Sequence, residues 1–207
     1  MYARSSTFMA RPELIDAGIA QVRDEVMPEI QGLDGCIGLS MMTDRQSGRC
    51  IVTSAWRSEE SMRATGEQLQ PTRMRVAATL GSDSPQVEEW EIAVLHRDHR
   101  SSEGACIRAT WVHVDPANLD RAIDVYKLAS MPRVEELEGF CSASLLVDRA
   151  SGRAVSSVTY DSLEAMTDTR EAAMSMRSAT TKDAGAEVLD VGEFELALAH
   201  LRVPELT

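Results

Sequence analysis

Asp44-Arg45-Gln46-Ser47-Gly48-Arg49 returns about 104 positions later as Asp148-Arg149-Ala150-Ser151-Gly152-Arg153, and this pair of stretches decides the fold. Each lies between two apolar segments, and Asp at the entry with Gly near the exit suits a short hairpin loop that needs a positive φ. On either side the side chains alternate: Ile37, Leu39 and Met41 before the loop, Ile51, Thr53 and Ala55 after it. Alternation at period two predicts two antiparallel strands, so a β-hairpin stands in the middle of each half of the chain.

Working outward, the same offset aligns Pro12 with Pro116, Asp16 with Asp120, Met27-Pro28 with Met131-Pro132 and Gly35 with Gly139. Roughly one position in four is identical in this register, which marks an internal duplication. Upstream of the hairpin, Leu14, Ile15, Ile19, Val22 and Val26 fall at helical spacing behind Pro12, and Pro is well placed in a first helical turn. Pro28 and Pro132 predict a shared bend or end of that helix. Downstream, Ser58 and Ser162, each followed by an acidic residue two positions on, predict the start of a second helix, with Pro71 disturbing only the first copy. Val87–His96 and Gly192–His200 alternate as closing strands. With opening strands near Ala3–Met9 and Ile107–Val114, each half reads β-α-β-β-α-β, the ferredoxin-like arrangement. Both helices then cover one face of a four-stranded sheet, and in a tandem chain the other copy's sheet is the expected cover for the second face. The expected fold class is α+β: two tandem ferredoxin-like modules packed sheet to sheet as an intrachain dimeric α+β barrel. Residues 1–97 and 106–207 are the modules, and the polar run 98–105 is the linker.

Composition narrows the function classes. The chain has 207 residues, 43% of them apolar and 26% charged, enough for a core in each half. A formal net charge of −12 repels phosphate backbones and anionic lipid surfaces, so nucleic-acid and membrane partners are not expected. The polar start, Met1-Tyr2-Ala3-Arg4-Ser5-Ser6-Thr7, does not read as a signal peptide, and a cytoplasmic protein is expected. Cys36, Cys50, Cys106 and Cys141 lack zinc-site spacing and read as reduced thiols. No dinucleotide, phosphate-loop or nucleophile motif is present in the sequence.

The Pro28 bend leading to Leu33-Asp34-Gly35-Cys36, the hairpin, and the passage Ser54-Ala55-Trp56-Arg57-Ser58-Glu59-Glu60-Ser61-Met62, repeated as Val158-Thr159-Tyr160-Asp161-Ser162-Leu163-Glu164-Ala165-Met166, resemble the antibiotic-biosynthesis-monooxygenase-like group of the dimeric α+β barrel superfamily. The resemblance covers nearly the whole chain as two modules. It implies a small-molecule enzyme, a cofactor-independent monooxygenase acting on an aromatic or polyketide-like compound, with a non-catalytic small-molecule-binding or scaffold protein as the alternative. It also includes haem-degrading enzymes, which use an Asn on the first strand and a His on the second helix. Here the one Asn is Asn118, at a helix start, and neither second helix carries a His.

A cofactor-free oxygenase needs a pocket, a base and a polar anchor. The candidate catalytic residues are His113 as base with Tyr160 and His200 as anchors, and the candidate substrate-binding residues are Trp111, on the same strand face as His113, and Arg108. Core packing is the competing reading of Trp111, and a shared strand end that of His96 and His200. Arg73 and Arg177 match on the second helices; Glu89, Glu91, Glu193 and Glu195 read as an exposed or charged rim. No cofactor and no metal is expected, Asp98-His99 being too few ligands. A monomer with an internal pseudo-dimer, or a homodimer, is expected. The copies differ most on the opening strand, where Thr7 and Met9 stand for Trp111 and His113, so a working site is expected in the second half.

Overall fold

The computed structural model of the chain describes residues 1–201. The first half contributes strands β1 (Tyr2–Met9), β2 (Cys36–Thr43), β3 (Arg49–Trp56) and β4 (Gln86–Arg97), and the second half β5 (Cys106–His113), β6 (Phe140–Asp148), β7 (Arg153–Tyr160) and β8 (Glu187–Leu201). Hydrogen-bonded neighbours run β1-β3-β2-β8-β5-β7-β6-β4 in a closed order. The fold class is the expected one, α+β with two tandem ferredoxin-like modules. The chain forms two compact units, Met1–Trp90 with the end of β8 from Leu196, and Glu91–Glu195. No helix among the described residues is long and apolar enough to cross a membrane.

In the first unit the helical stretch after β1 is built from α1 (Ile15–Gln21), a π-helical turn (Val22–Val26) and α2 (Met27–Gln31). In the second unit α5 (Leu119–Val125), a π-helical turn (Tyr126–Ser130) and α6 (Met131–Val134) repeat it. The bend expected at Met-Pro is therefore a widened turn. Proline has no N–H to give and its ring crowds the carbonyl four residues back, so the preceding Met27 N–H reaches Val22 O, and Met131 N–H reaches Tyr126 O, five residues back.

The second helical stretch is α3 (Glu59–Ala64) and α4 (Gln70–Leu80) in one unit, α7 (Leu163–Asp168) and α8 (Arg170–Ala184) in the other. Ser58 Oγ accepts from Ser61 N–H and Ser162 Oγ from Ala165 N–H, both at 3.1 Å, which satisfies one orphan amide at each start. Pro71 lies in the first turn of α4, where its missing donor costs nothing; the second copy also breaks, at Thr169.

The repeated loop does more than turn the chain. Asp148 Oδ1 accepts from Ala150 N–H at 3.0 Å, Asp148 O accepts from Gly152 N–H at 2.9 Å, and Gly152 O accepts from Val114 N–H at 2.9 Å. The first copy repeats this with Asp44, Gln46, Gly48 and Ala10. The loop thus fastens the end of the opening strand to the hairpin. Gly152 has φ 72°, and a Cβ there would stand 1.9 Å from Val114 O. Gly185, with φ 65°, has nothing within 4 Å of its notional Cβ.

The two glycines separate conformational cost from collision. Gly185→Ala is expected to lower stability by about 1 kcal/mol, the cost of a left-handed Cβ. Gly152→Ala is expected to cost at least about 2 kcal/mol more, since a backbone carbonyl must move. Urea midpoints of the two variants check the difference.

Candidate functional site

In the second unit a cavity of about 120 Å³ lies between the helices and the sheet, with Arg108, Thr110 and Val112 of β5, Ser156, Val158 and Tyr160 of β7, and Ala173, Met176, Arg177 and Ala184 of α8 in its wall. The corresponding space in the first unit is about 30 Å³, and Arg4, Phe8, Leu69 and Arg73 line it. The difference follows from side-chain volume at matched positions. Phe8 is replaced by Val112, Leu69 by Ala173 and Leu80 by Ala184. In the first unit Leu80 fills the notch above Gly18, where a Cβ would come within 2.2 Å of Leu80 Cδ2; the second unit has Ala122 and Ala184 instead. Each exchange removes side-chain atoms that the surrounding backbone does not move in to replace, which is how cavities survive in packed interiors. The last helix shows the consequence: α4 buries Thr72, Val76, Ala77 and Leu80, whereas α8 buries only Ala184.

One end of the cavity is polar and preorganised. Arg108, 7% exposed, donates from Nε and Nη2 to Glu193 Oε1 at 3.1 and 3.0 Å, from Nη2 to Met166 O at 2.5 Å and from Nη1 to Tyr160 Oη at 3.2 Å. Its guanidinium carbon is 5.4 Å from the centre of the Tyr160 ring. Arg170 adds a second partner to Glu193, Nη2 to Oε2 at 2.6 Å. Burial works to raise the Glu193 carboxyl, but hydrogen bonds from Arg170 and Arg108 outweigh it and hold the group below the usual glutamate range. Burial pushes the Tyr160 phenol up despite the neighbouring Arg108 cation. Tyr160 is therefore a neutral phenol at pH 7 whose oxygen accepts from Arg108 and whose hydroxyl also bonds with that of Thr169. Deeper in the wall, Tyr126 is pushed up to about 12 by burial and accepts from Ser156 Oγ at 3.2 Å.

The first unit has the same cation without the phenol. Arg4 pairs with Glu89 through Nη2 at 2.6 Å, but Trp56 stands where Tyr160 does and its indole donates to Ser54 Oγ at 3.0 Å. Arg4 Nη1 has no hydrogen-bond partner among the described residues. Arg73 donates to Gly66 O at 2.7 Å, whereas its counterpart Arg177 is half-buried in the cavity wall, with no hydrogen bond or ion pair from its guanidinium among the described residues.

Of the sequence-predicted residues, the fold brings Arg108 and Tyr160 together in the cavity. It does not bring the others there. Trp111 and His113 lie on the opposite face of β5, since residues two apart share a face and Arg108, Thr110 and Val112 own the one toward the helices. Trp111 packs edge-on against Phe194 at 6.2 Å, and His113 is exposed. His200 belongs to the first unit and does not line the cavity. His96 stacks on Phe140 at 6.1 Å and pairs with Glu135 at 3.3 Å. Glu193, read from sequence as part of a charged rim, is the partner that holds Arg108. Sequence reading did not single out Val112, Ala173 and Ala184; the signal was available as three large-to-small exchanges in the register of the repeat.

The Glu193 pair has a pH signature. Its folded pKa is depressed, so its contribution is fully present above the ordinary glutamate value of about 4.3 and is lost as pH falls through the lower folded value. Glu193→Gln is expected to unfold at lower urea than the parent at pH 7, the gap narrowing as pH falls from 5 toward 3. Arg108→Met, which strands Glu193 with Arg170 alone, is expected to cost about 3 kcal/mol at pH 7. Urea titrations across that pH range measure both.

Comparison with known proteins places these features. The family described as Antibiotic biosynthesis monooxygenase matches residues 1–65. Uncharacterized protein Rv2557 of Mycobacterium tuberculosis (strain ATCC 25618 / H37Rv) is 59% identical over 206 residues, covering 100% of this chain and 92% of that protein. Among solved structures, FN1347 of Fusobacterium nucleatum superposes with a TM-score of 0.72 at 13% identity, covering 97% of this chain and 94% of that one. An anthrone oxidase-like protein superposes with a TM-score of 0.68 at 15% identity, covering 99% and 94%; at these identities the likeness is one of fold. The chain belongs to the family of Rv2557, and within it the first module, over residues 1–65, is similar to the Antibiotic biosynthesis monooxygenase family.

Proposed function

We propose that the second module binds a small aromatic ligand carrying an acidic or carbonyl oxygen, and that the first module serves as its scaffold with a filled pocket. The observation that carries this reading is the cavity of about 120 Å³ in the second unit against about 30 Å³ in the first. An apolar cavity of about 150 Å³ accommodates benzene, whereas drug-sized ligands need roughly 300 Å³ or more. The size therefore favours a single ring, and a polyketide-like compound of several rings would require α8 to move outward. The loose burial of α8 supports such a movement.

The polar groups suit an oxygen-bearing ring. Arg177 offers a guanidinium without a hydrogen-bond or ion-pair partner among the described residues, and Tyr160 places its phenol beside a positive charge. Both favour an anion or a polarised carbonyl over a neutral hydrocarbon. Cofactor-independent oxygenation, the catalytic extension of this reading, requires the substrate to lose a proton before it meets dioxygen. The cavity wall supplies cations and a phenol that stabilise such an anion, and neither an imidazole nor a carboxylate among its described residues to take the proton. Binding is accordingly the reading best supported, and oxygenation fits substrates acidic enough to ionise on entry. The proposal includes a cytoplasmic protein with modules at 1–97 and 106–207 joined by 98–105, acting as a monomer with an internal pseudo-dimer or as a homodimer.

Val112→Phe with Ala173→Leu restores two of the first unit's three larger side chains to the second. The double variant is expected to keep its thermal stability within about 1 kcal/mol, because it fills space that is already empty, and to lose the stabilisation that phenols and benzoates give the parent. Ligand at 100 times Kd raises native stability by about 2.7 kcal/mol. Arg177→Gln is expected to weaken benzoate by about tenfold while leaving toluene unchanged. Thermal-shift series with benzoate, phenol and toluene read both effects, and equal shifts in parent and double variant would place the ligand elsewhere.

A further inference from the structure

Away from the cavity, three segments of the second unit converge on one point. His99 follows β4, Cys141 is the second residue of β6, and Asp161 follows β7. A ligating atom from each lies within 4.8 Å of the other two. The backbone fixes this convergence. Asp98 N–H and His99 N–H both donate to Cys141 O, at 3.0 and 3.4 Å, Asp161 N–H donates to Gly139 O at 2.9 Å, and Ser102 Oγ donates to Asp161 O at 3.3 Å. His99 Nε2 is 2.7 Å from Asp161 Oδ1, and His99 Nδ1 is 2.8 Å from Asp98 Oδ2.

We propose that His99, Cys141 and Asp161 form a zinc site, with Asp98 orienting the imidazole. A thiolate, an imidazole and a carboxylate together are a borderline-soft donor set that suits zinc and not magnesium or calcium. Tetrahedral zinc holds its donors about 3.3–3.6 Å apart, so the thiol draws in by at most about 1.5 Å and the His99–Asp161 pair opens from 2.7 Å by about 0.7 Å. The Asp98 contact to Nδ1 is the carboxylate–histidine arrangement that fixes the tautomer and turns Nε2 toward a metal. Three protein ligands leave a fourth position for water. Zinc binding releases the Cys141 thiol proton to solvent and takes the imidazole in its neutral form, so affinity rises with pH. The site belongs to one copy only. At the matched positions the first module has Ile37 for Cys141 and Arg57 for Asp161, so it is independent of the scaffold that the copies share. Asp98-His99 shows only a pair of ligands in the sequence because the other two arrive from residues about 40 and 60 positions away.

The test is cobalt substitution in the full chain after chelator treatment. One equivalent of Co²⁺ is expected to give the near-ultraviolet thiolate charge-transfer band and visible d–d bands of a tetrahedral centre, both displaced by one equivalent of Zn²⁺. His99→Ala, at an exposed position, and Cys141→Ser are each expected to remove the charge-transfer band and to weaken zinc by at least about 100-fold, while Cys36→Ser keeps both. If burial makes Cys141→Ser unfold, His99→Ala and Asp161→Asn carry the test with the same expected loss. Absence of the band in the parent, its survival in His99→Ala, or its loss in Cys36→Ser would overturn the assignment.

Discussion

The bond from Val114 N–H to Gly152 O, and its counterpart from Ala10 N–H to Gly48 O, are the contacts on which the geometry of each module depends. A hairpin loop that also captures the end of the opening strand fixes two registers at once. In the second unit β5 and β7 then align with Cys106 opposite Tyr160, Arg108 opposite Val158 and Val112 opposite Ala154. A slip of one residue would turn Arg108 and Val112 away from the helices and bring Trp111 and His113 toward them. The Asp-Gly loop has no role at the cavity, yet it determines which residues reach it.

Duplication and divergence act on different parts of this frame. The turns, the widened helical turns and the helix caps are kept in both copies, because each satisfies a backbone group that any version of the module must satisfy. The volumes of side chains facing the helices are free to drift as long as the frame holds. Three such exchanges separate a space of about 30 Å³ from one of about 120 Å³. The first unit keeps the Arg4–Glu89 pair, its arginine buried, so that pair belongs to the scaffold, and what distinguishes the second unit is the phenol of Tyr160 and the guanidinium of Arg177, which has no partner among the described residues.

A buried cation beside a phenol has a defined chemical consequence. Arg108 donates on one side to Glu193, which also accepts from Arg170, and on the other to Tyr160. The arrangement sets a buried cation and a phenol at one end of an otherwise apolar space. A cation and a phenol so placed favour an oxygen-bearing or anionic ligand over a neutral hydrocarbon, which is the basis of the proposed function.

The sequence by itself determined the duplication, the ferredoxin-like order, the hairpin, the helix starts and the site of the widened turn, since each is written in residues close together along the chain. It also directed attention to the second half and to Arg108 and Tyr160. It did not determine which face of β5 meets the helices. That strand is buried along most of its length on both faces, so apolar alternation is erased and Trp111–His113 read as well as Arg108–Val112. The cavity, the Arg108–Glu193 pairing and the meeting of His99, Cys141 and Asp161 were decided by tertiary structure alone, because each depends on side chains that the strand register brings together from distant segments.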